Sequence, residues 1–172
     1  VASLGHVAVG VAAARAFGEK NLGRRMLLFG ALSLLPDADV LGWAAGVPYG
    51  SSFGHRGASH SLVAALLVAA IAFSLVRYRR HADAGKTLLF VLLVVGSHGL
   101  LDALTDGGKG VALFWPFTPT RYFFPWRPIP VAPIGVRVLS PRGMQAMLFE
   151  LRAFAPCWLY AFWPRRGKNR TP

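Results

Sequence analysis

Long apolar runs alternating with short basic loops set the pattern of this chain. The first run, Val1 to Phe17, is built of small apolar residues, with His6 near its start and Arg15 near its end. A basic loop, Glu19 to Arg25, leads into the second run, Met26 to Val47, which is interrupted by Leu35-Pro36-Asp37-Ala38-Asp39. Proline removes a backbone donor and clashes with the preceding turn, so the spacing predicts a helix broken at Pro36 with two carboxylates at the break. Broken helices in membranes line cavities rather than facing lipid. A Gly- and Ser-rich loop, Pro48 to Ser59, carries His55 and Arg56 and ends beside His60 and Ser61. The third run, His60 to Val76, closes on the basic cluster Arg77 to His81. The fourth, Thr87 to Asp106, starts with ten uncharged residues and then sets His98 and Asp102 four residues apart. Four residues is about one helical turn, which brings imidazole and carboxylate out on one face. A last helix, Arg142 to Trp163, is the least hydrophobic of the five.

Gly107 to Gly135 is too rich in proline and aromatics for a continuous helix and reads as an external loop skimming the membrane interface. Its Trp115, Phe117, Tyr122, Phe123, Phe124 and Trp126 read as an interfacial lid. The fold class expected is therefore all-α: a polytopic transmembrane bundle of about five spans with a Pro- and aromatic-rich external loop. Residues 1–164 form a single membrane-embedded catalytic domain, followed by a basic cytoplasmic tail, 165–172.

Composition agrees with a membrane and excludes an ordinary soluble domain. Hydrophobic residues are 54%, charged residues only 15%, and mean hydropathy is +0.45. The net charge of +12 would suit nucleic acid only if the basic residues formed a stripe or a recognition helix. Here they sit between apolar runs, so no nucleic-acid partner is expected. Of the 19 basic residues, 12 fall in the loops at 15–25 and 77–86 and in the tail at 165–170. The positive-inside rule puts those segments in the cytoplasm and the N-terminus outside. Residues 1–17 have no basic region before their apolar run and do not read as a signal peptide. The single cysteine, Cys157, excludes an internal disulfide and a thiol-rich metal site.

The topology then places the unusual residues at one depth. His6, Asp37, Asp39, His55, His60, His98 and Asp102 all fall toward the external face. Imidazoles with carboxylates form a hard-to-borderline donor set that suits Zn²⁺ or a similar divalent ion, as one or two ions. A proton relay through the same residues and plain structural clamping between helices are the alternatives. Arg56 lies beside the cluster with a planar donor fork that matches phosphate oxygens; anchoring at headgroup depth is its alternative role. Ser61 and Thr105 read as local caps or bridges, and Lys109 as a loop lysine within reach of a lipid phosphate.

An ordered set of motifs carries a family resemblance. Gly5-His6, Leu35-Pro36-Asp37-x-Asp39, His55-Arg56-Gly57-x-x-His60-Ser61, His98-x-x-x-Asp102-x-x-Thr105 and Gly110-x-x-x-Phe114-Trp115-Pro116-Phe117 resemble the bacterial inner-membrane hydrolases of the YdjM type. The resemblance covers roughly residues 5–118. That family is associated with the LexA (DNA-damage) regulon and is distantly similar to zinc-dependent phospholipases C, whose helical cores carry a His-x₃-Asp pair. It implies a zinc-type phosphoesterase set in the bacterial inner membrane, with His98 and Asp102 at ligand positions and His6, His55 and His60 as further candidates. The second His-x₃-Glu pair of the soluble enzymes has no counterpart after residue 118.

The roles expected are metal ligation by His60, His98 and Asp102, then His6 and Asp39, then His55. Asp37 is a ligand, a base or an acceptor for an imidazole N–H, and Arg56 assists at the developing oxyanion. The substrate expected is a membrane lipid or lipid-linked ester reached from the periplasmic side. The rival classes are a His/Asp-based proton-coupled transporter and a non-catalytic membrane protein with a structural metal site. No LPDAD-like segment recurs in the second half, so the internal repeat of a transporter is absent from the sequence.

Overall fold

The computed structural model describes residues 3–80 and 82–164, and among them all regular structure is helical. Val1, Ala2, His81 and the basic tail from Arg165 onward lie outside the described residues. In chain order the helices are α1 (Leu4–Phe17), α2 (Leu22–Leu34), α3 (Val40–Ala44), α4 (Leu62–Tyr78), α5 (Ala84–Ala103), α6 (Pro141–Ala153) and α7 (Ala155–Phe162).

Two antiparallel pairs, α1 with α2 and α4 with α5, pack side by side through α2 and α5. Gly10 is what lets the first pair close: a Cβ there would lie 2.6 Å from the Phe29 carbonyl oxygen on α2. The centre of the bundle is filled by Ala14, Phe17, Phe29 and Val94, with Phe90 packed against them, and by Ala65, Ala69, Val91 and Val95. Outward, Leu66, Leu67, Ile71 and Leu75 of α4 and Leu89 and Leu93 of α5 stand exposed. Rows of exposed leucine belong against lipid, not water. Two segments are long and apolar enough to cross a bilayer, Leu22–Ala44 with 23 residues and Ala84–Ala103 with 20. α1, with 14 residues, and α4, with 17, are apolar but fall short of the ~20 that a full crossing takes.

The break at Pro36 appears as expected. With no N–H at Pro36 the α-helical ladder cannot continue; Leu35–Asp39 tightens into a 3₁₀ turn, and the axis resumes as α3. The second helix starts earlier than its apolar run, at Leu22, because Leu22, Gly23, Arg24 and Arg25 extend the helix into the expected loop. α4 starts later than expected. His60 sits in a separate 3₁₀ turn, Ala58–His60, and Ser61 caps the helix by accepting the Ala64 N–H at 3.0 Å. The single C-terminal helix is corrected to two, since the chain bends at Phe154 and Pro156 occupies the start of α7. Arg15 ties this last helix to α1 by donating to the Ala161 and Trp163 carbonyls at 2.9 and 2.6 Å.

The long loop is also corrected in part. It has no helix before a 3₁₀ turn at Gly135–Leu139, but it does not merely skim an interface. Val111, Ala112, Leu113 and Ile129 are buried; a bridge between Thr105 and Ile129 stitches the loop to the end of α5, and one between Val111 and Tyr122 closes the loop on itself. An apolar sequence of loop residues between prolines gave no period by which this inward packing could be read.

Candidate metal centre

The antiparallel order brings the start of α1, the broken end of α2, the entry to α4 and the last turn of α5 to one end of the bundle. His6, Asp37, Asp39, His55, Arg56, His60, His98 and Asp102 all meet there, and all but the two aspartates of the break are nearly sealed from solvent. The 3₁₀ turn sends Asp37 and Asp39 in different directions, and each joins its own group.

In the first group, Asp37 Oδ1 lies 3.5 Å from His60 Nε2 and 3.3 Å from His98 Nε2. Asp102 Oδ2 lies 3.5 Å from His60 Nε2 and 3.9 Å from His98 Nε2. These separations are long for hydrogen bonds, and all but the 3.9 Å one match the edges, about 3.3–3.6 Å, of a tetrahedron with bonds of about 2.0–2.2 Å. The Nε2 atoms of His6, His60 and His98 are buried with no hydrogen-bond partner. Buried polar atoms without partners are rare, and three imidazole nitrogens turned on two carboxylates fit a divalent cation. His6 approaches from beyond His98: their rings stack at 3.6 Å, and His6 Nε2 lies 3.5 Å from Asp102 Oδ1.

The second group is hydrogen-bonded. Asp39 Oδ1 meets His55 Nδ1 at 2.7 Å, while Oδ2 accepts from Ser59 Oγ at 2.6 Å and from the Arg56 N–H at 3.2 Å. His60 Nδ1 faces the same Oδ2 at 3.2 Å.

Close backbone approach holds the two halves together. A Cβ on Gly99 would stand 2.3 Å from the His60 carbonyl oxygen, so only glycine lets α5 press its His98 turn against the 58–60 turn. Arg56 has φ of 61°, a left-handed backbone that an arginine adopts only when its surroundings hold it. Those surroundings are Asp39 at its N–H and Ala112 N–H at its carbonyl, 3.0 Å away. Its guanidinium is 3% exposed as a residue and donates through Nη1 to Thr105 Oγ1 and the Gly107 carbonyl. Arg56 Nε stands 3.0 Å from Asp102 Oδ2, an ion pair out of line for a hydrogen bond.

A cavity of about 330 Å³ opens on this cluster. Asp37, Tyr49, His55, Arg56 and Asp102 line one side, and the stretch 131–135 with Val138 lines the other. Asp106 holds that stretch in place, accepting the Val131 N–H at 2.7 Å and donating its own N–H to the Ile129 carbonyl. Burial pushes the Tyr49 hydroxyl above its ordinary pKa, so the cavity wall carries a neutral phenol. The aromatics expected as a lid do not line this cavity; Phe117 and Trp126 face outward, 84% and 73% exposed.

The match to known proteins agrees with this architecture. Residues 1–168 fit the family described as YdjM inner membrane protein. The chain belongs to that family. It is also 42% identical, over 148 residues covering 85% of this chain and 86% of the relative, to the inner membrane protein YbcI of Escherichia coli (strain K12). No solved structure matches the chain. This family member is thus an inner membrane protein with a helical fold and His/Asp groups able to hold a metal ion.

Three contributors to the site were not visible in the sequence. Arg121, set among prolines and aromatics, points Nη1 and Nη2 at the carbonyls of His55, Arg56, Gly110, Tyr49 and Ser51, at 2.9–3.3 Å. Ser59 lies inside the His-rich stretch and bonds Asp39 and His60 at once. The Ser33 carbonyl fixes His98 through Nδ1 at 2.7 Å. The first and last gave no local signal, because a backbone carbonyl and a loop arginine acquire their roles only through packing. Ser61 and Thr105 do act locally: the first caps α4, and the second donates to the Asp102 carbonyl at 2.7 Å.

Proposed function

We propose that this protein is a membrane-bound, zinc-type hydrolase that cleaves a phosphoester in a lipid or lipid-linked substrate at the periplasmic face. The observation that carries the reading is the convergence of three partnerless imidazole Nε2 atoms on Asp37 and Asp102, two carboxylates that line a cavity beside a buried arginine. A divalent cation held there supplies Lewis acidity and a water of lowered pKa. His60, His98 and Asp102 would hold it, with His6 packed behind His98. Asp37 lines the cavity with a side chain 26% exposed and is the carboxylate placed to take a proton from the attacking water. Arg56 keeps Nη2 for a substrate oxyanion, since Nε faces Asp102 and Nη1 is engaged by Thr105 and Gly107.

The cavity volume suits a phosphate headgroup and not a whole lipid, so the apolar part of the substrate stays among the exposed leucines of the bundle. The charge bias supports five crossings with the N-terminus outside, α1 and α4 completing theirs with flanking residues, and α6–α7 as the fifth. Against a transporter stands the bundle below the cluster, filled by Phe17, Phe29, Phe90 and Val94.

The experiment is incubation of detergent-purified, metal-loaded protein with a membrane-lipid extract, followed by mass spectrometry of the products. Turnover that disappears in folded His98→Ala and Asp39→Ala variants supports the hydrolase. Absence of cleavage of any lipid, lipid phosphate or soluble ester, together with proton or solute movement in liposomes, refutes it.

A further inference from the structure

The two groups of metal-capable side chains share His60, so the number of ions they hold turns on what its two ring nitrogens do. We infer that the cluster takes one ion, in the Asp37–His60–His98–Asp102 group, and that Asp39 is a positioning residue that aims His60 at that ion and His55 at the cavity. The inference rests on the metal-centre reading above.

Hydrogen accounting decides it. Ser59 has one hydroxyl hydrogen, and its oxygen lies 2.6 Å from Asp39 Oδ2, a carboxylate atom that can only accept. With that hydrogen committed, Ser59 Oγ meets His60 Nδ1, 3.0 Å away, as an acceptor. His60 Nδ1 therefore carries a proton, shared with Asp39 Oδ2 at 3.2 Å, and in the neutral ring that ligation requires Nε2 is the bare lone pair. Nε2 is also the His60 atom with no hydrogen-bond partner, facing Asp37 and Asp102. His98 repeats the arrangement: Nδ1 donates to the Ser33 carbonyl, which cannot donate back, and Nε2 is left bare. A ligating histidine that passes its other N–H to a carboxylate or carbonyl is the common way a protein fixes ring orientation and basicity.

The same accounting closes the second group to a metal. An ion among Asp39, His55 and His60 would need lone pairs on His55 Nδ1 and His60 Nδ1, the two atoms that donate to Asp39. Spacing agrees. The 2.7 Å between His55 Nδ1 and Asp39 Oδ1 is a hydrogen bond, well inside the ~3.3–3.6 Å edge of a tetrahedral site. Asp39 already accepts from His55, Ser59, the Arg56 N–H and His60, which uses the lone-pair capacity of a carboxylate. His55, with Nδ1 taken, presents Nε2 to the cavity it lines.

Full-length protein purified in neutral, chelator-free buffer is loaded with Zn²⁺ and, separately, Co²⁺, and stoichiometry and affinity are measured by elemental analysis and chelator competition. Wild type is expected to hold one equivalent. His55→Ala is expected to hold one equivalent with affinity within about threefold of wild type and an unchanged Co²⁺ absorption spectrum. Asp39→Asn, folded by circular dichroism, is expected to hold one equivalent at about 10–100-fold lower affinity. Ser59→Ala provides a milder variant, expected to weaken binding by less, should Asp39→Asn not fold. Two equivalents in wild type, one of them lost in His55→Ala, would overturn the inference and leave the metal-centre reading standing. Complete loss of metal from folded Asp39→Asn would make Asp39 a ligand and overturn it as well. A metal-free wild type overturns both.

Discussion

Gly99→Ala tests the packing that makes the site, and Gly96→Ala on the same helix is its matched control. The added methyl at position 99 would sit 2.3 Å from the His60 carbonyl oxygen and 3.2 Å from Leu113 Cδ2. The first neighbour is backbone and cannot swing aside, so α5 and the 58–60 turn must separate by about 1 Å to restore ordinary contact. Overpacking of this kind costs about 1–3 kcal/mol. The same displacement would stretch the 3.5 Å approaches of His60 Nε2 to Asp37 and Asp102 beyond what one ion spans. At position 96 the new methyl would meet only Ala65 Cβ, at 3.7 Å, so the helix-propensity gain of alanine, up to about 1 kcal/mol, is kept. Thermal unfolding in detergent and Zn²⁺ affinity by chelator competition read both effects. Gly99→Ala is expected to lower Tm by several degrees and weaken Zn²⁺ binding at least tenfold, while Gly96→Ala leaves binding unchanged and Tm equal or higher. Wild-type Tm and Zn²⁺ affinity in Gly99→Ala would show that α5 does not press on the His60 turn, and the site geometry would fall with it.

Metal binding should weaken as pH falls from 8 to 5, because two imidazoles must be neutral to ligate and protons compete for the same nitrogens; a flat affinity across that range would remove histidine from the ligand set. For topology, Ala82→Cys and Thr120→Cys in a Cys157→Ser background place single thiols at exposed positions. An impermeant reagent applied from the periplasm is expected to label only position 120, and labelling of both would end the five-span arrangement.

The helical class, the break at Pro36 and the residues of the cluster are legible along the chain because each leaves a local mark. Apolar runs of span length, a proline followed by two aspartates, and a four-residue His–Asp spacing need no tertiary information. So is the common end at which the cluster gathers, since successive antiparallel helices bring alternate helix ends together. The division of labour inside the cluster is a different matter. Asp37 and Asp39 are two residues apart in the same turn, and nothing in their order tells the one that faces bare imidazole nitrogens from the one wrapped in donors. That distinction depends on which ring nitrogen of His60 meets Ser59, on the Ser33 carbonyl behind His98, and on a glycine thin enough to let α5 approach. Sequence spacing determines which side chains share a helix face; hydrogen-bond direction between separate segments is decided only when packing fixes the distance and the angle.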